Sequence, residues 1–237
     1  MVKDASKKPK IRTSPRISSN QLVKYLEATP AGRQRIVRDQ KRPSAFQTAY
    51  YKQATELISA FIAGGLVNEE PLVAAVDANH ASNSESDYAR QVVESNTEAL
   101  ESFLDLYEIL DLPTLPARIG STQQKKLVLG GVPVSVSPHI LFYEGGSSIA
   151  HLRGGINLHF AKNPKDSLSE NAGSSSSCLI QKFIEEQVEE DTKVKRSDCI
   201  TIDVFGQAVF AAPKAFKTRL KNLEAACTEV KLWWPAL

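Results

Sequence analysis

The chain has 237 residues, 42% of them apolar and 24% charged, a balance that suits a folded protein with a sizeable core. It holds no apolar run near the roughly 18–20 residues of a membrane span, and its basic N-terminus lacks the apolar stretch of a secretory signal. The net charge of +2 hides an asymmetry: residues 1–42 carry +9, the rest carry −7, and residues 69–111 alone carry about −10.

Three cysteines, Cys178, Cys199 and Cys227, stand far apart and match no metal spacing. Their odd, sparse number suits buried thiols in a reducing cytosol, and a cytoplasmic, membrane-free protein is the expectation.

Residues 1–16, rich in lysine with two prolines, read as a disordered basic arm. Ser19 is the expected N-cap of a first short helix with Leu22, Val23 and Leu26 on one face. Pro30 suits the first turn of a second helix that Pro43 ends. A third is predicted over residues 44–63, stopped by Gly64-Gly65, and a fourth over 69–83. A fifth, over 85–111, carries Ala89, Val93, Asn96, Leu100, Phe103, Tyr107 and Leu110 in one stripe, its other side acidic. Residues 17–84 thus form an all-helical N-terminal lobe, and residues 85–237 a second domain.

After "DLPTLPARIG" the apolar period changes from helical to alternating. Strands are predicted in "KKLVL", in "VPVSVSPHILFY" as one unit, and in "LRGGINLHFAK". A helix follows, starting at Leu168 or Ser174 and reaching Glu190. "DCITIDVFG" and "QAVFAAP" are further strands, and Pro213 opens a last amphipathic helix with Phe216, Leu220, Leu223 and Cys227 inward. Trp233 and Trp234 are expected to cover the end of the core. The fold class is α/β: a mixed sheet flanked by helices.

The order helix, three strands, helix, strand across about residues 85–211 resembles the PD-(D/E)XK nuclease superfamily, whose fold is restriction-endonuclease-like. In that family an Asp near the second strand and an acid-x-Lys on the third hold divalent metal, which activates water against a phosphate. Here "SPHI" puts His139 at the aspartate position, and "GGIN" puts Gly155 and Asn157 at the acid and lysine positions. A frame with Lys162 as the lysine puts Phe160 at the acid. Alternation places Ser135, Ser137 and His139 on one strand face and Gly155, Asn157 and His159 on another. The resemblance therefore implies a nuclease fold with a degenerate metal site, binding DNA, RNA or a protein partner in a defence or mobile-element system.

Two other readings are carried forward. One is an active nuclease using His139, Asn157 and His159 with Mg²⁺ or Mn²⁺, or a softer site for Zn²⁺ or Mn²⁺ that adds Asp203. The other is a scaffold whose basic head and acidic helices engage other chains. No G-x-S-x-G and no G-x-x-x-x-G-K-[ST] occurs, which argues against serine hydrolysis and nucleotide hydrolysis. The candidate nucleic-acid contacts are Arg33, Arg35, Arg38, Lys41 and Arg42, in a segment that either meets phosphates or docks on acidic residues 69–111. Gln181 is a further phosphate candidate, set against ordinary surface.

Overall fold

A computed structural model describes residues 11–43, 50–83, 86–113, 115–121, 126–144, 151–186 and 194–237. The chain opens with β1 (Ile17–Ser18), α1 (Ser19–Glu27), α2 (Pro30–Lys41), α3 (Lys52–Ala63), α4 (Glu70–His80) and α5 (Asp87–Tyr107). Next come β2 (Ala117–Ile119), β3 (Leu127–Leu129), β4 (Val132–Ser135), β5 (Ile140–Tyr143) and β6 (Leu152–His159). α6 (Glu170–Glu185), β7 (Cys199–Asp203), β8 (Ala208–Ala211) and α7 (Phe216–Ala236) complete the order.

Local chemistry sets the helix starts. Ser18, one residue before the expected position, accepts the Gln21 N–H and caps α1. Thr29 does the same for α2, with Pro30 in the first turn. No side chain of its own N-cap residue caps α3. Asn96, the polar member of the α5 stripe, supplies that function instead: its Oδ1 accepts the Ala54 N–H at 2.9 Å and its Nδ2 donates to Tyr50 O at 2.6 Å. The expected start of α3 at residues 44–49 lies outside the described residues, as does most of the expected basic arm. The described part of that arm is tied down, since the Arg12 N–H donates to Lys41 O and its guanidinium to Gln40 O.

Five strands form the main sheet in the order β2-β5-β6-β7-β8. β5 runs antiparallel to both β2 and β6, and β7 antiparallel to β8. β6 and β7 are parallel, with α6 between them in sequence, as a parallel pair requires. A small second sheet has the order β1-β4-β3. The fold class is thus α/β with mixed sheets and flanking helices.

The segment 132–143, read as one strand, is two strands in different sheets. The break falls at Val136–His139, where Pro138 has no N–H for a ladder. β1 and β2, of two and three residues, are too short to show a period and were not anticipated.

Two cores cover the two faces of the main sheet. Ile140, Phe142, Ile156, Leu158, Ile200 and Ile202 pack with α3, α4 and α5. Leu141, Leu152 and Cys199 belong to the other core, with α1, α2, α6, α7 and the small sheet. The helices of residues 17–84 are therefore shared between both faces rather than gathered in one lobe. α6 comes close to the sheet through small residues: a Cβ on Gly173 would collide with the ring of Phe210. Trp234 is buried at the end of α7, which continues to Ala236, past its expected end.

Candidate functional site

Strand alternation sends Ile156 and Leu158 towards α5, and Asn157 and His159 towards α6. Register places Asn157 beside Thr201 and His159 beside Asp203. A polar stripe of four side chains therefore runs across two parallel strands. Of the four buried serines of α6, Ser176 and Ser177 face it, while Ser174 donates to Glu170 and Ser175 to Asn171 O.

The stripe and the serines satisfy one another. Ser177 Oγ donates within reach of Thr201 Oγ1 at 3.0 Å and Phe210 O at 2.7 Å, and Thr201 Oγ1 donates to Ser176 Oγ at 2.8 Å. Asn157 Nδ2 reaches Ser176 Oγ at 3.4 Å and Asn20 Oδ1 at 3.5 Å, both long bonds. Fully buried Asp203 accepts the Leu168 N–H at 2.7 Å and the Gly206 N–H at 3.1 Å, so both carboxylate oxygens hold the loops around β7. His159 turns to the segment after β6, where Nε2 meets Asp166 O at 3.2 Å.

His139 lies just before β5. Its Nδ1 accepts the Leu158 N–H at 3.0 Å, an imidazole taking a backbone donor of β6. An acceptor Nδ1 requires the ring to be neutral with its proton on Nε2. Burial pushes the imidazole down to about 4, while a hydrogen bond with the Asn157 side chain pulls the other way. His139 and Asn157 are thus brought together, and His159 is engaged elsewhere.

Gly155 occupies the expected acid position, and a side chain has no room there. A Cβ would stand 2.8 Å from Ile140 O and 3.4 Å from the Pro138 ring. The Zn²⁺ set of His139, His159 and Asp203 does not converge, because Asp203 and His159 are spent on backbone groups. Among the described residues, no group of three or more His, Cys, Asp or Glu is placed to hold a metal ion. The three thiols are free and buried; burial pushes Cys178 and Cys227 up to about 12 and Cys199 further up, so none is a ready nucleophile or ligand.

The basic segment divides by role. Arg33 stacks over Tyr25 at 5.3 Å, pairs with Glu229 at 3.2 Å, and donates to Ala28 O and Leu26 O. Lys41 Nζ donates to Trp234 O at 2.8 Å. These two bind α2 to α1 and α7. Arg35 and Arg38 are exposed on α2 and Arg42 is exposed at its C-cap, with Arg35 3.9 Å from Asp39. Among the described residues this segment does not dock on residues 69–111: α2 packs in the α7 core, and α4 and α5 lie in the other. Acids of α5 pair locally instead, Glu101 with His80 and Glu98 with Lys162. Gln181 is not surface; it is buried on α6, with Nε2 donating to Glu185 at 2.8 Å.

The Ser176–Thr201–Ser177 network was missed from sequence, though four consecutive serines just before the apolar run Cys178–Ile180 of α6 are its signal. No helix is long and apolar enough among the described residues to cross a membrane. Comparison with protein-family models, curated proteins and solved structures finds no match.

Proposed function

We propose that the chain is a nuclease-like protein, related to the PD-(D/E)XK superfamily, that binds nucleic acid without cutting it. The kinship is supported by α5 followed by β2, β5 and β6 as an antiparallel run, then α6 and a parallel β7. The observation that carries the non-cleaving reading is Gly155: at the acid position of the third strand a side chain would meet Ile140 O. Without hard oxygen ligands Mg²⁺ has nothing to hold it. The binding face is the exposed row Arg35, Arg38 and Arg42, which answers to phosphate charge and not to sequence. Defence or mobile-element systems are the setting the kinship implies.

Fluorescence anisotropy with single- and double-stranded DNA and RNA tests the proposal. Three phosphate contacts lower duplex affinity about 40-fold between about 50 and 200 mM salt. Replacing the three arginines with alanine flattens that slope. Binding that ignores salt, or none, defeats the reading. Cleavage with Mg²⁺, Mn²⁺ or Zn²⁺ that disappears in His139→Ala would favour the active alternative. That alternative has less support, because His139 and His159 already hold backbone groups and Asn157 holds side chains.

A further inference from the structure

A cleft of about 580 Å³ opens between α3 and the ends of β2 and β5, within the roughly 300–1,000 Å³ range of small-molecule sites. Its lining includes Tyr50, Tyr51, Ile119, Pro138 and His139, so the walls are mainly apolar and aromatic. Tyr51 is held in place, stacked on Phe160 at 5.1 Å with Phe205 at its edge. The charges at the cleft, Lys52 and Glu56, pair with each other at 3.8 Å. The imidazole is uncharged at neutral pH, its basicity lowered by burial.

Ser59 gives the cleft its one buried polar handle. The residue is 2% exposed overall and lines the cleft, and its hydroxyl is not among the buried polar atoms left without a partner, so it is open to the cleft's solvent. A hydroxyl at the wall of an apolar cleft is both donor and acceptor, and a ligand N–H or O–H can take the place of the water it meets.

We infer that this cleft binds a small, uncharged, flat aromatic molecule carrying one N–H or O–H group, which meets Ser59. An anion is disfavoured because the walls are mainly apolar, and the exposed charges at the cleft, Lys52 and Glu56, offset each other, so an anion's charge buried there would go uncompensated. This site is independent of the nucleic-acid reading: it uses α3 and the strand ends, not the arginine row of α2.

Three ligands with one ring system test it by calorimetry and ligand-observed NMR on the full chain: 2-naphthol, 2-methylnaphthalene and 2-naphthoate. The expected result is saturable binding of 2-naphthol, about fivefold weaker binding of the methyl analogue that lacks the O–H, and at least about tenfold weaker binding of the carboxylate. Ser59→Ala removes the difference between the first two. Ile119→Glu, at a wall residue 58% exposed and so tolerant of a charge, weakens 2-naphthol at least about tenfold. No saturation by 2-naphthol up to its solubility limit overturns the inference, as does naphthoate binding equally well or a null effect of Ile119→Glu.

Discussion

The hydrogen bond from Leu158 to His139 makes acid stability a direct readout of the site. The imidazole, with an ordinary value of 6.5, is held down to about 4 in the fold, first by burial. The unfolded chain therefore takes up a proton near pH 6.5 that the folded chain refuses until near pH 4. Stability from this group is fully present above about 6.5 and is lost as pH falls towards 4. At pH 4.5 the unfolded ring is almost wholly protonated and the folded ring about a quarter so, a difference of about 2.5 kcal/mol. His139→Asn is the matching perturbation, since Oδ1 can accept the Leu158 N–H but cannot titrate. Urea unfolding at pH 7.5 and 4.5 should show the wild type losing about 2–3 kcal/mol more than the variant. Carboxylates titrate in both proteins, so their contribution cancels. Equal losses, or a folded imidazole that titrates near 6.5 by NMR, would refute the account of this ring as a neutral, buried acceptor.

Three further outcomes follow from the packing. Gly155→Asp should lower the unfolding free energy by about 1–3 kcal/mol through overpacking against Ile140 O, and Mg²⁺ should not restore it; a metal-dependent rise in melting temperature contradicts this. Thr201→Val or Ser177→Ala alone should each cost about 1–3 kcal/mol by leaving a buried partner unsatisfied, while the double variant costs less than their sum; strict additivity in urea unfolding sinks the network. Arg33→Ala should destabilise by about 1–2 kcal/mol and Arg35→Ala by under about 0.5, with the order reversed for nucleic-acid affinity, which unfolding and anisotropy together decide.

The parts of the fold legible in the sequence are those with a period or a punctuating residue. The α5 stripe, the Pro30 start of α2, and the β7–β8 pair around "DVFGQ" were all anticipated, because each rests on local chemistry. β1 was not, since Ile17 and Ser18 pair with Val134 and Ser135, far along the chain. The alternation read over 132–143 put Ser135, Ser137 and His139 on one face of one strand, but only Ser135 lies in a strand. β5 is buried at Ile140, Leu141 and Phe142 alike, and alternation carries no information about a change of sheet. Only Pro138 hinted at it. At the site, sequence placed His139, Asn157 and His159 on neighbouring strands; it had no way to tell that a backbone N–H, a serine and a turn carbonyl would claim them. The five basic residues looked alike in sequence, and only the position of α7 separates Arg33 and Lys41 from the other three.

That division of labour explains why polar residues interrupt the best strands of the chain. A strand with α-helical layers on both faces is normally apolar throughout, as β6 beyond Arg153 would be without Asn157 and His159. A chemically active stripe would keep lone pairs or protons pointing into open space. Here Asp203 spends its oxygens on two loop N–H groups, Thr201 is enclosed by two serines, and His139 faces a strand N–H. The stripe's polarity is consumed inside the protein, where it aligns α6 on the sheet and anchors the turns at the strand ends. What the packing leaves at the surface is the set of arginines at the end of α2 and the mainly apolar cleft lined by Ser59, the two places on which the proposed binding rests.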